Sequence, residues 1–146
     1  MAEYDVRNDF TARTVHVRAS GLFSEVDCDG FYRLYSQRVS YRGRRHMVLA
    51  DLRGMKPMPP KLAEYFGGLI AATRREGVVI CAHISDHTVQ RLQLARVTRE
   101  NSTSDDITVD VDSLEEAHRV LSEARVRLDD PRYSAAPSIR DAISVR

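Results

Sequence analysis

Two uninterrupted apolar runs, Met47–Ala50 and Val78–Ala82, constrain this chain more than any other feature. Neither alternates, so neither offers a face to water. Each suits a strand covered on both sides, as in a parallel sheet flanked by helices. Parallel neighbours need a crossover long enough for a helix, and the residues between the runs supply one. Pro59 and Pro60 suit a first helical turn, where a missing N–H costs nothing. Leu62, Tyr65, Phe66, Leu69, Ile70 and Thr73 then recur at helical spacing. Gly77 is placed to stop that helix in a left-handed conformation.

The flanking segments repeat the alternation of strand and helix. Glu3–Asn8 and Arg13–Ala19 have period two, with Tyr4 and Val6 sharing one face of the first and Val15 and Val17 one face of the second. They predict two half-exposed strands joined by a hairpin at Asp9–Ala12. Ser24 is a good N-cap, with Glu25, Asp27 and Asp29 where the helix dipole favours negative charge. Cys28, Phe31, Leu34, Tyr35 and Val39 make the apolar stripe of a helix that ends near Gly43. Gly30 inside it costs roughly 1 kcal/mol, which points to something packed closely there. Ser85 and Asp86 open a further helix, expected to run to about Glu100. Ile107, Val109 and Val111 alternate as an edge strand does, and Ser113 with Glu116 forms a capping box for a last helix. The predicted order is β-β-α-β-α-β-α-β-α. That is one α/β domain over residues 1–128, a mostly parallel sheet of about five strands with flanking helices. Residues 129–146 hold two prolines and no sustained period, and are expected to form a loosely ordered tail.

Composition narrows the function classes. With 42% hydrophobic and 29% charged residues and a net charge of +1, the chain has neither the basic excess expected of a nucleic-acid binder nor a strongly acidic or membrane-seeking surface. No apolar run is long enough to span a bilayer, and the N-terminus lacks the pattern of a signal peptide. Cys28 and Cys81 have no motif spacing, so a disulfide framework is not expected and the reducing cytoplasm is the default compartment.

The stretches HMVLADLRG, PPKLAEYF, GVVICAHIS and ITVDVDSLEEAHRVL together resemble the SpoIIAA-like (STAS-like) family, from about Tyr4 to Ala124. That family includes the anti-sigma-factor antagonists and the STAS domains of anion transporters, and in outline it resembles the lipid-carrying CRAL-TRIO (Sec14) fold. The resemblance implies a module that binds a protein partner. In the antagonists, a serine at the helix start after the equivalent of Asp51 is phosphorylated and breaks a complex. Here Arg53–Lys61 reads RGMKPMPPK, with no Ser, Thr or Tyr, so that switch carries over to no residue.

Asp51 sits at the carboxyl end of a central strand, where ligands of open α/β sheets gather, though it also reads as a turn carboxylate. Arg53, Lys56 and Lys61, with Met55 and Met58, give the following loop an adaptable, partner-binding character. The two methionines read equally well as a cover over the end of the core. Ser85, opening a helix, is an anion-site candidate opposed by the charge of Asp86. Cys81, His83 and His87 match no zinc spacing and read as ordinary core and helix residues. His16 reads as a solvated strand histidine, and Cys28 as a small core residue. Arg42, Arg44 and Arg45, then Arg74 and Arg75, and Arg99 read as helix-end cations, with a patch for anionic head groups or phosphates as the alternative for the arginine groups. No metal or cofactor is expected.

Three functions remain. The first is a non-enzymatic interaction module presenting Arg53–Lys61 to a protein partner or to a second copy of itself in a homodimer. The second is a carrier or sensor for a lipid or other small apolar molecule, which needs an apolar cavity beneath Leu62–Ile70. The third, and weakest, is an enzyme using Asp51 as a base.

Overall fold

The computed structural model describes residues 1–39, 44–86, 92–93, 96, 107–126 and 128. Its elements are β1 (Glu3–Asp9), β2 (Thr14–Ser20), α1 (Glu25–Arg38), β3 (His46–Asp51), α2 (Pro60–Arg74), β4 (Val78–Ile84), β5 (Ile107–Val111) and α3 (Leu114–Arg125). The helix expected over Ser85–Glu100 and the tail 129–146 lie largely or wholly outside the described residues.

The strands form one five-stranded sheet in the order β1-β2-β3-β4-β5. β1 and β2 pair antiparallel with Val6 opposite Val17, and every later pairing is parallel. β3 and β4, the two continuous apolar runs, occupy the interior of the sheet. Parallel crossovers are right-handed, and a strand order that only advances puts successive crossover helices on one face. Accordingly α1 and α2 cover the face carrying Val6, Val15, Val17, Val48, Ala50 and Cys81. The opposite face of β3–β5, with Met47, Leu49, Ala82, Ile84 and Val111, is left for α3, which buries Ala117, Leu121 and Ala124 there.

Local signals set the element ends. Ser24 and Asp27 form a full capping box at the start of α1. At α3 the box is displaced: Ser113 Oγ accepts from the Glu116 N–H (3.1 Å), while Glu116 Oε1 reaches one residue further back to the Asp112 N–H (2.8 Å). After α2, Gly77 adopts φ +111°, and a Cβ there would collide with the Arg44 backbone.

Gly30 has the close neighbour its position implied. The Tyr4 hydroxyl lies where an alanine methyl would go, and the Tyr4 ring is held by stacking on Phe31, centroids 5.3 Å apart. Alanine at position 30 therefore gains helix propensity but displaces a packed ring. Gly30→Ala is expected to lower stability by about 1–2 kcal/mol, and Tyr4→Phe should recover part of that loss. A double-mutant cycle by urea denaturation checks this, and additive effects would mean the two positions do not meet.

Candidate functional site

β3 delivers Asp51 to the carboxyl end of the sheet, and Arg53 turns back to meet it. Its Nε and Nη2 donate to Oδ1 and Oδ2 at 2.8 and 2.7 Å, a bidentate pair. These bonds hold the Asp51 carboxyl below its usual range, with Arg18 adding to the effect. A carboxylate kept ionised in this way is a weak proton acceptor, so the geometry adds nothing to a role as base. Both residues border a polar groove with Glu3, Asp5, Arg18 and Ser20, on the part of the sheet surface beside β1 and β2.

The loop that follows is fastened at several points. Gly21 N–H donates to Gly54 O and Lys56 N–H to Gly21 O, both at 2.9 Å. The Asp86 carboxylate accepts from the Gly54 N–H (2.9 Å). Gln93 grips Met58 twice, accepting from its N–H at 2.8 Å and donating to its carbonyl at 2.6 Å. Gln93 was not singled out in the sequence, because nothing in its local pattern shows a contact 35 residues away.

This bracing corrects part of the expected surface. Met55 and Met58 are 1% and 6% exposed and belong to the core beneath α1 and α2. The parallel bridge between Gly21 and Met55 fixes the backbone so that the thioether lies inside. The exposed charged residues here are Arg53 and Lys56 of the loop and Lys61 in the first turn of α2. Ser85 follows β4 and is buried.

A second feature lies between the sheet and the two helices. An apolar cavity of about 90 Å³ is walled by Cys28, Phe31, Tyr32 and Tyr35 of α1 and by Phe66, Leu69, Ile70, Thr73 and Arg74 of α2. Its floor includes Val48, Ala50, Cys81 and His83. The floor is low because β3 and β4 present the small residues Ala50 and Cys81 where close packing would need larger ones. Phe31 and Phe66 stack at 6.4 Å and frame it. Outside, Tyr65 of α2 donates to Asp29 of α1 across the two helices, a bond that raises the phenol to about 12.

Arg74 and His83 line this wall together with the hydroxyl-bearing Tyr32, Tyr35 and Thr73. Arg74 stands in the last turn of α2, as its reading as a helix-end cation implies, and it is 4% exposed there. The sequence did hold the signal: Arg74 continues the buried stripe Ala63, Phe66, Gly67 and Ala71 at helical spacing. A helical side chain tilts toward the helix N-terminus, which aims Arg74 back beneath α2. His83 shares the cavity face with Cys81, as strand parity requires, and is also 4% exposed. Burial, with the Arg74 charge nearby, drives its pKa down to about 3, so the ring is neutral. Cys28 is fully buried, and desolvation, reinforced by Asp29, Asp27 and Glu25, pushes its thiol up to about 11, which makes it unreactive. Among the described residues no three His, Cys, Asp or Glu gather as a metal site, and His87 lies outside them.

The chain matches no family model and no curated protein. A crystal structure of an uncharacterised protein from the DUF3478 family of Shewanella loihica PV-4, with a SpoIIAA-like fold, aligns at a TM-score of 0.60 with 12% identity. The alignment covers 82% of this chain and 93% of that one. The chain has a SpoIIAA-like fold. Within that fold, no helix among the described residues is long and apolar enough to cross a membrane.

Proposed function

We propose that this SpoIIAA-like domain is a non-enzymatic module that holds a small apolar molecule between its sheet and helices α1 and α2. The observation behind this reading is the cavity of about 90 Å³ under Phe66, Leu69 and Ile70. Apolar cavities of about 150 Å³ hold one benzene ring, so the scale here fits a short alkyl chain, or a single ring after slight spreading of the helices. Titrating hexanol into nitrogen-15-labelled protein should give saturable amide shifts along α1, α2 and β4. Ala50→Leu, which fills the floor, should abolish them. Absence of saturable shifts in the unmodified protein would sink the reading.

A second reading, docking of a protein partner or a second copy, is favoured by the exposed cations on and beside the braced loop, Lys56 and Lys61 with the Asp51-paired Arg53. A rigid display of charge loses little entropy on binding. Native mass spectrometry of gently purified protein separates the two readings. A small molecule lost on denaturation supports the first, and a persistent second chain supports the second.

A further inference from the structure

The place where the cavity meets solvent shows how a molecule would reach it. Its floor residues Val48, Ala50, Cys81 and His83 are buried. The half-buried lining residues are Tyr32 of α1 and Leu69, Ile70 and Thr73 of α2. Solvent therefore touches the cavity along the seam between the two helices. Resting on the cavity reading above, we infer that α2 is a hinged lid. It flexes at Gly67 and Gly68 to part the seam between Tyr32 and Leu69, and the Tyr65–Asp29 hydrogen bond latches it shut.

The hinge rests on a glycine that packing does not explain. Glycine is among the poorest helix formers, so in a helix interior it needs a reason. Gly30 has one in the Tyr4 hydroxyl. Gly68 is exposed, and a Cβ built on it would meet nothing within 4 Å. Gly67 precedes it, so two successive residues in the middle of α2 leave the backbone unrestrained. Helices bend at such weak points. Here the weak point separates the turns bearing Tyr65 and Phe66 from those bearing Leu69 and Ile70.

The latch rests on position. α1 and α2 each connect a pair of parallel strands, so they run in the same direction. Tyr65 and Leu69 lie one turn apart on α2, and Asp29 and Tyr32 one turn apart on α1. The bond from the Tyr65 hydroxyl to the Asp29 carboxylate thus spans the same seam, one turn before its solvent-facing part. Tyr65 is an exposed residue. Water can replace its partner, so breaking the bond strands no buried polar group. A bond of that kind can open and close without unfolding the domain.

The test is the exchange rate of hexanol with the full chain, read from nitrogen-15 line shapes. Tyr65→Phe keeps the ring and removes the latch, and should raise the dissociation rate about fivefold. Gly68→Ala, which adds a methyl in open space, should lower it about fivefold. Neither residue lines the cavity, and the closed form dominates, so affinity should stay within about twofold in both. A merely structural role would change stability and leave the exchange rate alone. Amide hydrogen exchange of residues 64–71 in the ligand-free protein, measured relative to α3, needs no ligand. It should be faster in Tyr65→Phe and slower in Gly68→Ala. Rates unchanged, or moved in one direction by both variants, would overturn the lid and leave the cavity reading standing. Failure of hexanol to bind overturns the cavity reading, and the hydrogen exchange then decides the lid by itself.

Discussion

Acidifying the protein from about pH 7 to about pH 5 should cost roughly 2 kcal/mol of stability through His83 alone. The sign follows from its two states. Unfolded, the imidazole titrates near 6.5. Folded, burial holds it down at about 3. Below neutrality the unfolded chain therefore takes up a proton that the native protein refuses, and stability falls steadily between those two values. His46, buried beside the carbonyl of Arg44, is also lowered and acts in the same direction. Its Nδ1 lies 2.7 Å from that carbonyl, which can only accept, so Nδ1 carries the proton. Urea denaturation at a series of pH values measures the slope, and His83→Gln should flatten it without removing it. A flat profile in the unmodified protein, or an unchanged slope in the variant, would contradict the burial of His83. Asp51 contributes in a separate, more acidic window. Its folded carboxyl is depressed, so its contribution is present above the ordinary value near 3.9 and lost only as pH falls below it.

The largest single-residue effect is expected at Phe31. Its ring meets Tyr4, Phe23 and Phe66 with centroid separations of 5.3, 6.1 and 6.4 Å, tying β1, the approach to α1, and α2 together. Phe31→Ala should cost about 3–5 kcal/mol, since the site is held by rings from separate elements and collapses poorly. Domains of this size have about 5–15 kcal/mol in total, so the variant should be examined at low temperature. A loss under about 1 kcal/mol would show that the cluster is not closely packed. The same truncation enlarges the cavity, so benzyl alcohol should bind the folded variant more tightly than it binds the unmodified protein.

The sheet was legible in the sequence because its evidence is local. Met47–Ala50 and Val78–Ala82 announced buried parallel strands, Gly77 announced a helix stop, and Gly30 announced a close neighbour without revealing that it was Tyr4. The site was less legible because its geometry depends on distant pairings. Met55 points inward on account of a bridge to Gly21, and Met58 is held by Gln93. Neither contact leaves a trace in the neighbouring residues. Arg74 is a different case. Its charge suggested a helix end, where the structure has it, and its place on the apolar stripe pointed to its burial. His83 and Cys81 fell on one face as parity required, but the space in front of them depends on side chains from two helices.

The advancing order of the strands has a bearing on how the chain is made. Each strand pairs with the one synthesised just before it, so no segment leaving the ribosome waits for a partner not yet translated. The β1–β2 hairpin forms first, and β3, β4 and β5 add in turn to a growing edge. Loop closures stay short, which favours rapid assembly. The growing edge is always the youngest strand while β1 stays at the other edge, and only α3, the last described helix, completes the second layer over β3–β5. Until α3 emerges, the apolar face with Met47, Leu49 and Ile84 stays open, so the interval before its synthesis is when the nascent chain is most prone to aggregate.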